Sequence, residues 1–411
     1  MKEKLEVYHF WIGHEHAPER VKEKLEVYHF WIGHEHAPIK SFLDFFARKY
    51  SIEVRDIAME WGIHSAITQA KVMRENPPDI VATDIGRRLA DYVKTGEIAE
   101  VEKIWSSKSL KKAIPDWIKE ACSVDGKIYG VPSKCFTFAV WYLKRVFKKY
   151  NLEPPESWDE FLEICKKLSQ KGIRPIVSSS WEVSLWFENI LVRFVGPDFY
   201  NALMRGEESW LDPRVIEAYE TLRELSEYFL PGPFSYSFRE SWEALNAEKA
   251  VMQLQGDWVN EMWKVGYGYK PGVDYDFFLI PPIDDKVGHV MITGGNAWLM
   301  TKRAPHKNEA KTFMTFAASK KAHEILAKEG MGIMSRIDVP EQLYDPVSLR
   351  LLKSLQKYPN VLQMDAVLPA TVLSVERLQQ AQIVLGEEFS RKRIEALLEE
   401  IQKVSEGIRQ R

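Results

Sequence analysis

Tryptophans and carboxylates keep company along this chain. Trp31 is followed by Gly33 and Glu35, and Trp61 and His64 by Asp84. Trp181 and Trp186 precede Glu188, and Asp257 directly precedes Trp258. An indole offers a broad apolar face on which a flat-faced ligand, a sugar or a base, can stack. An ionised carboxylate accepts hydrogen bonds side by side and so suits adjacent hydroxyls. Together the two types describe a wall for a small polyhydroxylated molecule. Each also has a plainer reading. Trp31 could pack at the edge of a core, with Glu35 starting a helix whose dipole favours a carboxylate. Asp84 could cap the helix after it, and Asp257 with Trp258 could be a capped helix beside a core aromatic.

Other chemistries use the same residues. Glu35, Asp84, Glu188 and Asp257 could supply the two carboxylates of a glycoside hydrolase, which must stand at one of two set separations across a bond. His34-Glu35-His36 could ligate a metal, but the triplet lacks the helical spacing of zinc sites, and surface loop histidines are the better reading. No metal and no cofactor are expected. The sequence has no Gly-rich phosphate loop after a strand, no G-x-S-x-G and no basic patch. A net charge of −3 argues against a nucleic-acid partner.

The elements that must position these side chains can be read in order. The 411 residues, 45% hydrophobic and 28% charged, fit a soluble globular protein of two or three domains. Glu26–Trp31 alternates as a strand does, Ile39, Phe42, Leu43 and Phe46 follow helical spacing, and Ile52–Met59 is a second strand. Trp61-Gly62 reads as a turn before a helix over His64–Glu75, and Asp79–Asp84 as a third strand. Strand, helix, strand, helix, strand predicts a parallel sheet with helices on its faces. Asp125-Gly126-Lys127 is a hairpin turn. Phe136–Tyr142 and Val290–Met300 read as buried crossing strands, Ile173–Ser180 and Ala250–Gln255 as further strands, and Ser157 with Glu160 as a capping box. Cys122, Cys135 and Cys165 are too scattered for a disulfide framework, so buried free thiols are expected. No apolar run reaches membrane-spanning length, and no signal peptide is visible after Met1. Abundant Lys, Glu, Arg and Ile with few Gln and Asn hint at a thermophile.

One stretch is present twice. Lys22–Pro38 repeats Lys2–Pro18 without a change, and Met1 stands where Val21 stands in the second copy. Drift would not leave seventeen residues unaltered, so the repeat is very recent or engineered. Placing the first copy in the sheet would make the intervening residues close a loop, at about 2–3 kcal/mol. The second copy is therefore expected in the first strand, with residues 1–21 a tail or an extra strand on an exposed edge.

Across residues 22–411 the order of short motifs resembles the extracellular solute-binding proteins of ABC importers, in the large carbohydrate-binding group. The motifs are Trp31 and its Gly, Asn76-Pro77-Pro78-Asp79-Ile80, Gly130-Val131-Pro132, Pro155-x-Ser157-Trp158-Asp159-Glu160-Phe161, Gly256-Asp257-Trp258 and Ile333-x-x-Arg336. The chain is most similar to glucose-binding members from thermophiles. The resemblance implies a two-lobed periplasmic-binding-protein-like α/β fold, each lobe a sheet flanked by helices, joined by crossing hinge segments. It implies a first lobe of residues 22–132 and 290–338 and a second of 133–289 and 339–411. It implies a ligand held from the first lobe by Trp31, Glu35, Trp61, His64 and Asp84. From the second lobe it implies Trp181, Trp186, Glu188, Asp257 and Trp258. Asn296 stands where close relatives carry an acid, and Met364 and Asp365 where they carry a basic residue. The implied partners are a glucose-like carbohydrate and an ABC transporter permease. The implied protein is a monomer outside the cell or in the periplasm, membrane-anchored in its natural precursor, and not an enzyme.

If the second copy fills the strand, deleting residues 1–20 leaves sugar affinity within about twofold, a change of about 0.4 kcal/mol. Titration calorimetry on both chain lengths checks this, and a collapse of affinity would assign the strand or the ligand to the first copy.

Overall fold

The computed structural model of the protein describes residues 24–106, 108–386 and 390–409. The second copy of the repeat supplies the first strand, β1 (Leu25–His29). The tail or extra strand expected for residues 1–21 lies outside the described residues. Strand β1 sits between β2 (Val54–Ala58) and β3 (Ile80–Asp84), parallel to both, with helix α1 (His36–Tyr50) after β1 and helix α2 (Trp61–Val72) after β2. Ile39, Phe42, Leu43 and Phe46 give α1 its inner stripe, as their spacing predicts. Phe42 stacks on Trp298 and Phe316, building the core under this sheet.

The sheet is mixed rather than parallel. A hairpin of β4 (Ser123–Val124) and β5 (Lys127–Ile128) turns through Asp125 and Gly126, both at positive φ, as a type I′ turn requires. Then β6 (Val131–Leu143) runs thirteen residues without an exposed position. It pairs antiparallel with β9 (Met291–Met300) from Val131 to Thr137. From Phe138 onward it pairs instead with β7 (Met252–Gly256) and β8 (Tyr275–Phe278). Strand β9 in turn pairs with β3 through Asn296–Met300 and with β10 (Asn360–Leu362) through Met291–Thr293. The chain order of the main path is β2-β1-β3-β9-β6-β7. One strand thus belongs to two groups of strands, and its burial at every position fits a strand covered on both faces.

Several local expectations are corrected. Trp61-Gly62 is not a turn but the first turn of α2, because the Glu60 carboxylate caps it by accepting from the Gly62 and Ile63 N–H groups. Ile173–Ser180 forms only single bridges at Ile176, and Ser179 leaves the run to box-cap the helix Ser180–Met204 with Glu182. Ser157 caps its helix as expected, but Glu160 reaches past it to the Glu156 N–H. The three cysteines are buried free thiols.

Gly86 ties the first sheet to a late helix. It opens helix α3 (Arg87–Lys94) with φ 80° and ψ −134°, a region side chains avoid, and a Cβ there would lie 2.4 Å from the Ala366 carbonyl oxygen. Gly86→Ala is expected to lower stability by about 2–4 kcal/mol from strain plus overlap. Urea unfolding monitored by fluorescence measures it.

Candidate functional site

Two groups of polar and aromatic side chains meet where β3 ends beside the pairing of β9 with β6. The first is centred on Asp84, the last residue of β3. Asn296, its register partner on β9, donates to Asp84 Oδ1 at 2.8 Å, and Trp61 Nε1 donates to Oδ2 at 3.2 Å. The Arg88 guanidinium lies over the Trp61 ring at 3.9 Å, with its Nε 3.5 Å from Asp84 Oδ2. The helix start at Trp61 gives this geometry, since it aims the indole at the strand end. Burial pushes the Asp84 carboxyl up to about 6, against the pull of Arg88 and the Trp61 hydrogen bond, while Asp365 pushes it further.

The facing surface carries Trp181, Trp258 and Asp365. Trp181 and Trp258 stack with ring centres 5.8 Å apart, and Trp258 meets the edges of Phe136 and Phe138 on β6. Trp181 Nε1 donates to Asp365 Oδ2 at 3.1 Å, and Arg377 pairs with the same oxygen at 2.6 Å. Gly256 and Gly294 make room for this layer. A Cβ at either would come within 2.3 Å of the Trp258 or Phe136 ring.

The second group surrounds Lys134, buried on β6. Its ammonium is 3.5 Å from Glu35 Oε1. Asp257 and Glu261 are also buried, and none of their four carboxyl oxygens has a hydrogen-bond partner among the described residues. Gly332 closes the group with φ 83°, and a Cβ there would stand 2.9 Å from Asp257 Oδ2. Burial works against the Lys134 charge, but Glu261, Glu35 and Asp257 hold its pKa above the ordinary value. Burial pushes Asp257 up to about 6 although Lys134 opposes it, and raises Glu261 as well. Beside this group His34 meets the backbone of Gly266, where a Cβ would lie 3.1 Å from its Nε2.

The structure therefore brings together Trp61, Asp84, Asn296, Trp181, Trp258 and Asp365 in one group, and Glu35 with Asp257 in the other. It withdraws four expected residues from any surface. Trp31 is buried against Trp298 and Phe30, on the inner side of the sheet. His64 lies on the inner stripe of α2 with Thr68 and Val72, and burial lowers its pKa to about 4. Trp186 stands five residues after Trp181, about 140° around the helix, and stacks in the core on Phe161. Glu188 is buried under Asp365, where it accepts from the Met364 N–H. Arg88, Lys134, Glu261 and Arg377 were missed. Arg88, four residues after Asp84 at a strand-to-helix turn, carried a usable signal, and Lys134 inside an apolar run carried another. The His34-Glu35-His36 triplet does not converge: His34 faces Gly266, Glu35 faces Lys134, and His36 faces Asp56.

A polar, aromatic-lined junction between strands shared by two sheets defines a two-lobed solute-binding protein. The comparisons agree. Residues 60–324 match the family of bacterial extracellular solute-binding proteins, and the chain belongs to that family, a binding and transport component of ABC importers rather than an enzyme. An uncharacterized ABC transporter extracellular-binding protein of Pyrococcus horikoshii is 27% identical over 75% of this chain and 71% of its own. A probable sugar-binding periplasmic protein of Brucella suis is 24% identical over 71% of this chain and 69% of its own. Among solved structures, the bacterial solute receptor AcbH, described as exclusive for β-D-galactopyranose, superposes with a TM-score of 0.83. It does so at 19% identity, over 94% of this chain and 99% of that one. The maltotriose binding protein of Thermus thermophilus, bound with maltotriose, gives 0.71 at 16% identity over 93% and 100%. Among the described residues no helix is long and apolar enough to cross a membrane.

The Asp257 shift has a sign that can be measured. Its carboxyl takes up a proton on folding between its unfolded value near 3.8 and its folded value of about 6, so its contribution to stability falls as pH rises through that window. Asp257→Asn is expected to be more favourable at pH 8 than at pH 4, relative to the parent, by about 1–3 kcal/mol. Denaturant unfolding of both chains at both pH values reads the difference.

Proposed function

We propose that this chain captures a small carbohydrate between its lobes and delivers it to an ABC transporter permease. The observation that carries the reading is the Trp181–Trp258 stack beside Asp365, within electrostatic reach of Asp84 and Arg88 on the other wall. Stacked indoles suit the apolar face of a pyranose, and carboxylates held by Asn, Arg and Trp donors keep lone pairs for its hydroxyls. The unsatisfied oxygens of Asp257 and Glu261 extend the acceptor set. Trp61, Asp84, Asn296, Trp181, Trp258 and Asp365 are the proposed ligand contacts, with Glu35 and Asp257 beside them. A glucose-like monosaccharide or small oligosaccharide is the proposed solute. The sugars named for the fold neighbours support that class.

The proposed lobes are residues 22–132 with 290–338 and residues 133–289 with 339–411. The exchange of partners along β6 at Phe138 supports the first crossing, and the start of β9 supports the return. A solute touching both walls favours the closed arrangement by its differential affinity, so binding is the signal the permease reads. The protein is proposed to act as a monomer, held at the membrane by an anchor of its precursor, in a thermophile.

Mass spectrometry of small molecules released on denaturing the purified protein identifies the solute, and calorimetry with that sugar follows. Trp258→Ala is expected to weaken binding at least tenfold, about 1.4 kcal/mol or more. Trp186→Phe, in the core, is expected to leave affinity within about twofold. Equal losses in both, or none in either, would move the site elsewhere.

A further inference from the structure

His29, the last residue of β1, His36, in the first turn of α1, and Asp56 on β2 converge on the flank of the same loop that carries His34 and Glu35. His29 Nε2 lies 2.7 Å from Asp56 Oδ1, and His36 Nε2 lies 2.9 Å from Oδ2. The two imidazoles stack with centres 5.7 Å apart. One ligand atom from each of the three residues falls within 4.8 Å of the others. We propose that His29, His36 and Asp56 form a binding site for a divalent transition-metal ion of the zinc type, which pins the two ends of the loop from Phe30 to Glu35.

The donor set decides the class of ion. Two imidazoles and one carboxylate suit zinc, cobalt, nickel or ferrous iron, whereas magnesium and calcium prefer oxygen alone. Tetrahedral ligands at zinc distances stand about 3.3 Å from one another. The present spacings of 2.7 and 2.9 Å, each to a different oxygen of Asp56, must open, and the widest spacing, within 4.8 Å, must come to about 3.3 Å. The side chains able to make that movement are the outer ones, His36 at 36% exposure and Asp56 at 26%, while His29 is fully buried and fixes the position. Their exposure also leaves the fourth place to water.

The same geometry limits the affinity. His29 Nδ1 is buried without a partner and carries the ring proton once Nε2 holds the metal. Supporting hydrogen bonds of that kind are worth about 10–100-fold in metal affinity. The site is therefore weaker by that factor than one with a complete outer shell. The consequence reaches the cleft, because the pinned loop places His34 against Gly266 and Glu35 against Lys134. Any effect of metal on solute affinity is matched by an equal effect of solute on metal affinity.

The first copy of the repeat carries His9, His14 and His16, so the test must silence it. The full chain with His9→Ala, His14→Ala and His16→Ala is stripped with chelator. It is then titrated with Zn²⁺ by calorimetry and with Co²⁺ by visible absorption. The expected result is one saturable equivalent of either ion, with a cobalt spectrum of nitrogen and oxygen ligation. Adding His36→Ala or Asp56→Asn is expected to weaken binding at least tenfold. His36→Ala is expected to leave the metal-free unfolding midpoint where it was, which separates loss of a ligand from loss of the fold. No saturable binding in the silenced chain, or binding that both second substitutions leave intact, would overturn the site. None of these readouts depends on the identity of the solute.

Discussion

An ammonium buried among three carboxylates is the interaction around which this molecule is arranged. Lys134 sits inside the most apolar strand of the chain, where an unpaired charge would cost several kcal/mol. Glu35 comes to it from the loop before α1, while Asp257 and Glu261 come from one helical turn, and burial raises the pKa of both of these acids. Among the described residues the oxygens of Asp257 and Glu261 are left without donors. A fold tolerates such groups where they serve something other than its own stability. Here the segments that supply them are also those proposed to touch the solute.

The strand that carries Lys134 explains how the parts stay in register. Up to Thr137, β6 is clamped by β9, and from Phe138 by β7 and β8. Phe136 and Phe138 stand on either side of that exchange and hold the Trp258 ring between them. The aromatic wall is therefore positioned by the same residues that hand the chain from one group of strands to the other. A small rotation at the exchange would move the wall and the acidic group together. That coupling is what a hinge-closing binder requires, because closure must bring every contact into place in one step.

Much of this frame could be read in the residues. The alternation of β1, the stripe of α1, the Asp-Gly hairpin and the two buried crossings all follow from period and turn chemistry. The site was less legible, because sequence gives the type of a side chain and not its direction. Trp31 and Trp186 have the same chemistry as Trp181 and Trp258, yet only a displacement around a helix or a residue's side of a sheet decides which are fully buried and which are partly exposed. His64 was displaced by one local event, the Glu60 cap, which starts α2 earlier and turns the imidazole inward. Glu261 and Arg377 were hidden for another reason. Their meaning lies in partners far along the chain, and no spacing rule reaches across two sheets.

The repeated stretch acquires a sharper meaning from this arrangement. The copy in the sheet delivers β1, the loop with His34 and Glu35, and the start of α1 as one piece. Its contacts run in two directions: His29 and His36 hold Asp56 on one side, while Glu35 reaches Lys134 on the other. A strand exchange between copies would preserve every one of these side chains, so the chemistry of the site is indifferent to which copy is used. The connection is not indifferent. Using the first copy would leave Glu19–Pro38 as a looped-out insertion between Pro18, in the place of Pro38, and Ile39, at a chain-entropy cost of about 2–3 kcal/mol. Identical contacts on both sides of the comparison cancel, and that entropy alone selects the second copy.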